Sequence, residues 1–236
     1  MNIHIAISHI AIGRTAIGAI VVSVLAAVSV PAVAMQAFSA DYQANAMGMQ
    51  GNGHMSITAQ GNDRWQYTLT IRNSLVDLSQ STIFDEQDGW LRPLSSSDLS
   101  RLLVKKKAVN TSFDWSKNQA TWSGDVKPER AGPVALKTGD MDALLVNLAL
   151  VRDVAAGKPL NYRMVENGNA RPMNYRVVGK EKITIGGKSR DATKVSRTSG
   201  SKEIIVWVVP GMPVPARILQ REDGQDSIDL QVKSWH

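Results

Sequence analysis

From Phe38 to Val232 apolar and polar residues alternate in short runs separated by turn-forming residues, and one stretch alone departs from that period. A period of two sends successive side chains to opposite faces of an extended chain, so each run specifies a half-buried β-strand. Met55-Ser-Ile-Thr-Ala and Trp65-Gln-Tyr-Thr-Leu-Thr-Ile-Arg are such runs, and Gly61-Asn62-Asp63 between them makes a hairpin turn. A strand over Leu75–Asp85 follows, turned at Asp88-Gly89 into Trp90-Leu-Arg-Pro-Leu. Leu102–Trp115 and Gln119–Val126 come next, joined by Ser116-Lys117-Asn118, and 127–138, with Pro128, Gly132 and Pro133, reads as a loop. Beyond Leu160 the alternation resumes. Glu166-Asn-Gly-Asn-Ala signals a hairpin, Tyr175-Arg-Val-Val a strand, and Lys182-Ile-Thr-Ile turns at Gly186-Gly187. Ala192–Thr198 and Glu203–Val209 precede a rigid Pro210–Pro215 break, and Glu222-Asp223-Gly224 joins Ala216–Arg221 to Ser227–Val232.

The departure is Asp140–Ala156, where Met141, Leu144, Leu145, Leu148, Val151 and Ala155 recur at helical spacing. Asp140 suits the N-cap and Gly157 the left-handed position past the C-terminus. Asp142, Asn147 and Asp153 mark the opposite face, so the helix is expected against a sheet with one side wet. Consecutive hairpins make sequential strands antiparallel neighbours. The expected fold is mainly β: a single strongly curved antiparallel sheet or open β-barrel of about ten strands, with one packed α-helix over 140–156.

The first 34 residues read differently. Arg14 precedes an apolar stretch from Ala16 to Val30, broken only by Gly18, Ser23 and Ser29, and Pro31 then leads into Ala32-Val33-Ala34. Small residues after a short apolar run are the marks of a cleavable signal peptide, and the run is short for a membrane anchor. Residues 1–34 are therefore expected to be removed, with 35–236 as one β-rich domain exported to the periplasm without a transmembrane anchor. The chain has no cysteine, so neither a disulfide nor a lipidated cysteine is available to it. The net charge is +6, of which +5 lies on the mature part, a modest excess that suits anionic envelope components. The expected compartment speaks against nucleic acid as a partner.

Few residues point to chemistry. Only His54 and His236 follow the signal, His54 just after the glycine-rich Gly48–Gly53 segment, so a Ser-His-Asp arrangement would have to use His54. Two distant histidines make no metal site, and no cofactor is expected. Ile185-Gly-Gly-Lys-Ser189 lacks the earlier glycine of a phosphate-binding loop and reads as a turn. Gly48-Met-Gln-Gly-Asn-Gly53 does not match a dinucleotide fingerprint, and Asp85-Glu86-Gln-Asp88-Gly89 fails the calcium-loop spacing. Asp114, Glu166, Glu181 and Glu203 are carboxylates that separate strands can bring together, as glycoside hydrolysis requires. Six tryptophans stand against three phenylalanines. They either fill a wide sheet's core or line an apolar, carbohydrate-stacking concavity.

Phe113-Asp-Trp115, Asp153-Val-Ala-Ala-Gly157-Lys158, Tyr175-Arg-Val-Val-Gly179-Lys-Glu181, Trp207, Pro215-Ala-Arg217-Ile and Arg221-Glu-Asp-Gly224 occur in that order. In this order they resemble the exported bacterial "domain of unknown function 3108" family over roughly Phe38–Val232. The resemblance implies an envelope protein of Gram-negative bacteria, a fold similar to the curved sheets of periplasmic lipoprotein carriers, and no established activity. It also implies a basic strand at Lys105-Lys106-Lys107, here without a following glycine-rich turn. The expected function is non-enzymatic binding of an amphipathic lipid or an envelope glycan, with Trp115, Trp122, Trp207 and Arg217 as the candidate ligand set. The alternatives are an envelope polysaccharide hydrolase with paired carboxylates and a scaffold in an envelope complex.

Overall fold

The structure is a computed structural model that describes residues 35–46, 48–103 and 105–236. The expected signal peptide lies outside the described residues. Among the described residues sixteen strands and one α-helix follow one another. The first seven strands are β1 (Phe38–Ala46), β2 (Met49–Gly61), β3 (Arg64–Arg72), β4 (Val76–Gln87), β5 (Trp90–Leu102), β6 (Lys105–Asp114) and β7 (Gln119–Gly124). Two short strands, β8 (Val134–Ala135) and β9 (Asp140–Met141), lead into helix α1 (Ala143–Ala155). Then come β10 (Asn161–Glu166), β11 (Asn169–Asn174), β12 (Arg176–Ile185), β13 (Lys188–Ser199), β14 (Lys202–Val208), β15 (Arg217–Glu222) and β16 (Gln225–Trp235).

Thirteen strands form one antiparallel sheet in the order β12-β13-β14-β15-β16-β1-β2-β3-β4-β5-β6-β7-β8. The turn residues set its registers. Asn62 and Asp63, for instance, both have positive φ and join β2 to β3 with two residues. The first and last of the described strands meet in the middle of the sheet, where β1 pairs with β16. Strands β12 and β8 occupy the two outer positions, so the sheet is not closed into a barrel. It is nevertheless strongly curled. Strands β13 and β6 stand nine places apart in this order, about 43 Å in a flat sheet at ~4.8 Å per strand, yet Arg197 and Lys107 line one cavity.

A second sheet, β11-β10-β9, covers the concave side. Its hairpin turns at Asn167-Gly168, both at positive φ. Helix α1 lies between the two sheets, against β3, β4 and β5 on one side and β9 and β10 on the other. This overturns the expectation of a wet helix face. Leu145 and Leu150 are fully buried, and Asp142 and Asp153 are buried too, as befits a helix that is apolar nearly all round. Asp142 accepts from Thr82 and from the Leu145 amide, and Asp153 from Tyr162 at 3.1 Å. Burial of these carboxylates is thus compensated by hydrogen bonds.

Three further boundaries differ from expectation. Asp140 belongs to β9 and pairs with Arg163 at 2.5 Å, while Asp142 is the N-cap. The two-residue parallel pairing of β9 with β10 is too short to leave a periodic signal. Leu102–Trp115 is not one strand: β5 runs on to Leu102, and Leu103, at positive φ, turns the chain into β6. The run Ser95-Ser-Ser-Asp98 hid that strand because its polar side chains carry no apolar period. Lastly, Gly51 and Gly53 lie inside β2, where a Cβ on Gly51 would meet the Arg72 carbonyl oxygen at 2.2 Å. These glycines serve close strand approach.

Candidate functional site

The registers assign each side chain to a face. Ile204, Gln220 and Ile228 are neighbours across β14, β15 and β16, and Ile71 and Leu78 across β3 and β4. All point into the concavity, where they open on a cleft of about 530 Å3 at one mouth of the curled sheet. That volume is in the ~300–1,000 Å3 range of small-molecule sites. Both walls are mixed. On the β14–β16 side Ile204, Ile218, Ile228 and Leu230 stand beside Gln220 and Ser227, and opposite them Leu69, Ile71, Leu78 and Val109 stand beside Gln80, Asp98, Ser100 and Lys107. Val146 of α1 and Met164 and Met173 of the small sheet complete an apolar floor.

Charge is gathered at the rim. Lys107, Arg171, Arg197, Lys202 and Arg221 stand there with Asp98, Glu166, Glu203 and Glu222. Most are paired: Arg171 with Glu166 at 2.9 Å, Arg221 with Glu203 at 3.4 Å and Lys202 with Glu222 at 3.3 Å. Among the described residues Lys107 and Arg197 form no ion pair, and Arg197 donates to the Pro172 carbonyl at 3.4 Å. Burial pushes the carboxyl groups of Asp98 and Glu166 above their ordinary range, against the opposing pull of Gln80 and Arg171 respectively. Behind them Asp142 is pushed up to about 6, again by burial. The cleft is therefore apolar at its base, with a mixed rim that holds two cations without carboxylate partners.

The tryptophans lie elsewhere. Trp207 is 2% exposed and belongs to the outer face, paired across the strands with Lys194 and Arg217. Its indole donates to Glu181, and the Arg217 guanidinium lies 4.7 Å from its ring centroid. Arg217 is itself held by both oxygens of Asp229, at 2.8 and 2.7 Å, and this bidentate bond raises its pKa. Three segments that carried the sequence resemblance thus meet in one packed cluster. Trp122 does face the concavity, but in a separate core with Val109, Phe113 and Val165, where it borders a cavity of about 20 Å3 beside Asp98 and Glu166. Trp115 packs at the edge of that core and donates to the Pro93 carbonyl at 2.6 Å.

The carboxylates also separate. Glu166 and Glu203 share the cleft, Glu181 is bound to Trp207, and Asp114 caps the β6–β7 turn. There hydrogen bonds from Ser116 and Lys117 lower its pKa to about 2. His54 donates to Asp41 at 2.8 Å, and Ser234 donates to the other Asp41 oxygen at 3.4 Å. With the aspartate in the middle, the imidazole is not placed to take the serine proton. No group of three or more metal-ligating side chains occurs among the described residues. Glu166 and Glu203, candidate carboxylates in the sequence, do share the cleft, as does Lys107 of the expected basic strand. That they share it is not legible in the sequence, because they come from strands far apart in the chain.

A family model described as "Protein of unknown function (DUF3108)" matches residues 38–231. No curated protein matches the chain. Among solved structures, it is similar to a β-barrel-like protein of domain of unknown function DUF1849 from Brucella abortus. The identity is 11%, 87% of this chain and 99% of that chain are covered, and the TM-score is 0.55. At that identity the likeness is one of fold. MucB matches at 9% identity over 86% of this chain and 53% of its own, with a TM-score of 0.35. The MucA/MucB complex of Pseudomonas aeruginosa matches at 11% identity over 85% and 51%, with a TM-score of 0.37. The chain thus spans about half the length of the MucB chains. No helix among the described residues is long and apolar enough to cross a membrane.

Proposed function

The chain belongs to the DUF3108 family of proteins of unknown function, and from that premise we propose that it is an exported envelope protein that binds an amphipathic ligand without transforming it. The observation that carries this reading is the chemistry of the cleft. An apolar floor takes up an acyl chain, removing it from water at ~25 cal/mol per Å2. The rim then holds a polar, preferably anionic, headgroup, with Lys107 and Arg197 as its first contacts. A glycan is served less well, because Tyr175 is the one aromatic side chain among the cleft's described lining residues. Of the four residues singled out from the sequence, Trp122 is the one this reading places beside the ligand, as a reporter behind Asp98 and Glu166. The expected N-terminal signal supports the periplasm as the working compartment.

The test is the ligand itself. Mature protein released gently from the periplasm should carry envelope lipid detectable by native mass spectrometry and organic extraction. Ile228→Trp, which fills the cleft from a half-buried wall position, should reduce bound lipid at least ~10-fold with the fold intact by circular dichroism, the loss of about 1.4 kcal/mol of binding. Protein that emerges empty, with no change in Trp122 fluorescence on adding anionic lipid, would overturn the reading.

A further inference from the structure

Three of the six large apolar side chains that are well exposed among the described residues sit on one hairpin, β5–β6: Leu99, Leu102 and Leu103, at 43%, 42% and 61% exposure. The same hairpin exposes Arg101, Lys105, Lys106 and Lys107. Cross-strand pairing sets Leu102 opposite Lys105 and Arg101 opposite Lys106, so leucines and cations share one tip. No Asp or Glu stands between Asp98 and Asp114 in the sequence. Among the described residues none of these four cations is in an ion pair. The tip also adjoins the cleft, whose mouth is lined by Leu99, Ser100 and Lys107.

We propose that the β5–β6 tip docks on an anionic lipid bilayer. Leu102 and Leu103 enter the boundary between headgroups and acyl chains, and Arg101 and Lys105–Lys107 take the lipid phosphates. A projecting tip of leucines ringed by unpaired cations matches a surface that is apolar beneath and negative above. A groove-like protein interface would instead call for a concave apolar face with a mixed polar rim. Docked in this way, the protein presents the cleft mouth to the membrane. The contact rests on the proposed lipid-binding reading for its purpose but not for its chemistry, so the two can fail separately.

The experiment uses the mature chain in co-sedimentation with vesicles of phosphatidylcholine alone and with vesicles containing one third phosphatidylglycerol. Binding is expected to the anionic vesicles and to fall by at least ~10-fold in Leu102→Ser/Leu103→Ser and in Lys105→Glu/Lys106→Glu. Raised salt should weaken it, since exposed charges are screened. Neither double variant touches the cleft floor, so both should retain extracted lipid at the wild-type level. Ile228→Trp should do the reverse, losing lipid while still docking. Three results overturn the proposal: no binding to anionic vesicles, equal binding to neutral ones, or wild-type binding by both double variants. Vesicle-independent binding of the tip to an acidic protein, with no vesicle binding, overturns it too.

Discussion

Asp142 does two jobs with one carboxylate: it caps α1 through the Leu145 amide and accepts the Thr82 hydroxyl proton within the core. Burial is the larger effect, and it holds the group's pKa near 6 rather than 3.8. A raised carboxyl pKa means the folded state prefers the neutral form. Its contribution is therefore fully present below pH ~4 and is lost as pH rises through about 6, a change of roughly 2–3 kcal/mol. Asp142→Asn keeps a good N-cap oxygen and never ionises. Urea denaturation at pH 4.5 and 7.5 should show the variant gaining on wild type by about 2 kcal/mol at the higher pH; parallel behaviour at both values would refute the assignment. The sequence singled out Asp142 only as a polar-face residue of a wet helix. Its environment was illegible because Thr82 of β4 and the covering strand β10 lie far from it in the sequence.

The helix shows what an element takes from its own sequence and what it takes from its neighbours. Its C-terminus was legible. Gly157 has φ +65°, its amide reaches the Val154 carbonyl at 3.2 Å, and the Lys158 amide reaches Asp153 at 2.9 Å, the paired bonds of a Schellman ending. A Cβ at Gly157 would meet nothing within 4 Å, so Gly157→Ala should cost only the backbone term, about 1 kcal/mol. Thermal unfolding should show that loss, with Gly157→Asn recovering part of it. Loss of several kcal/mol would mean the ending is packed rather than merely bent. Its N-terminus was less legible, since Asp140 and Asp142 both satisfy a cap's chemistry. The choice fell to the Asp140–Arg163 pair, which depends on β10. The full length of β5 is hidden from its sequence for a related reason. Ser100 lines the cleft and Ser96 the small cavity beside Trp122, and consecutive polar residues on both faces of a strand leave no amphipathic period.

For the whole molecule, the curl of the sheet is the decisive quantity, because it sets the ends of β13–β16 opposite those of β3–β6 across α1. With the helix wedged between both sheets, we expect residues 35–236 to unfold in one cooperative transition. Far-ultraviolet circular dichroism and tryptophan fluorescence should then give coincident urea curves; two separated transitions would show that the small sheet and the large one are independent. Delipidated protein should melt lower than protein as purified, by the amount ligand binding supplies to the folded state, ~2.7 kcal/mol at a hundredfold excess over Kd.

Local chemistry determined the strands and most of their turns, because alternation, two-residue turns such as Asn62-Asp63 and the glycine beyond the helix act within a few residues of themselves. The ordered motifs determined the family as well. Tertiary structure alone decided that Trp207, Glu181 and Arg217 pack together on the outer face while Lys107 and Arg197 line one cleft. Which face a strand presents is written in its own period. Which distant strand shares that face depends on how far thirteen strands curl, a sum of small twists and bulges that no single segment encodes.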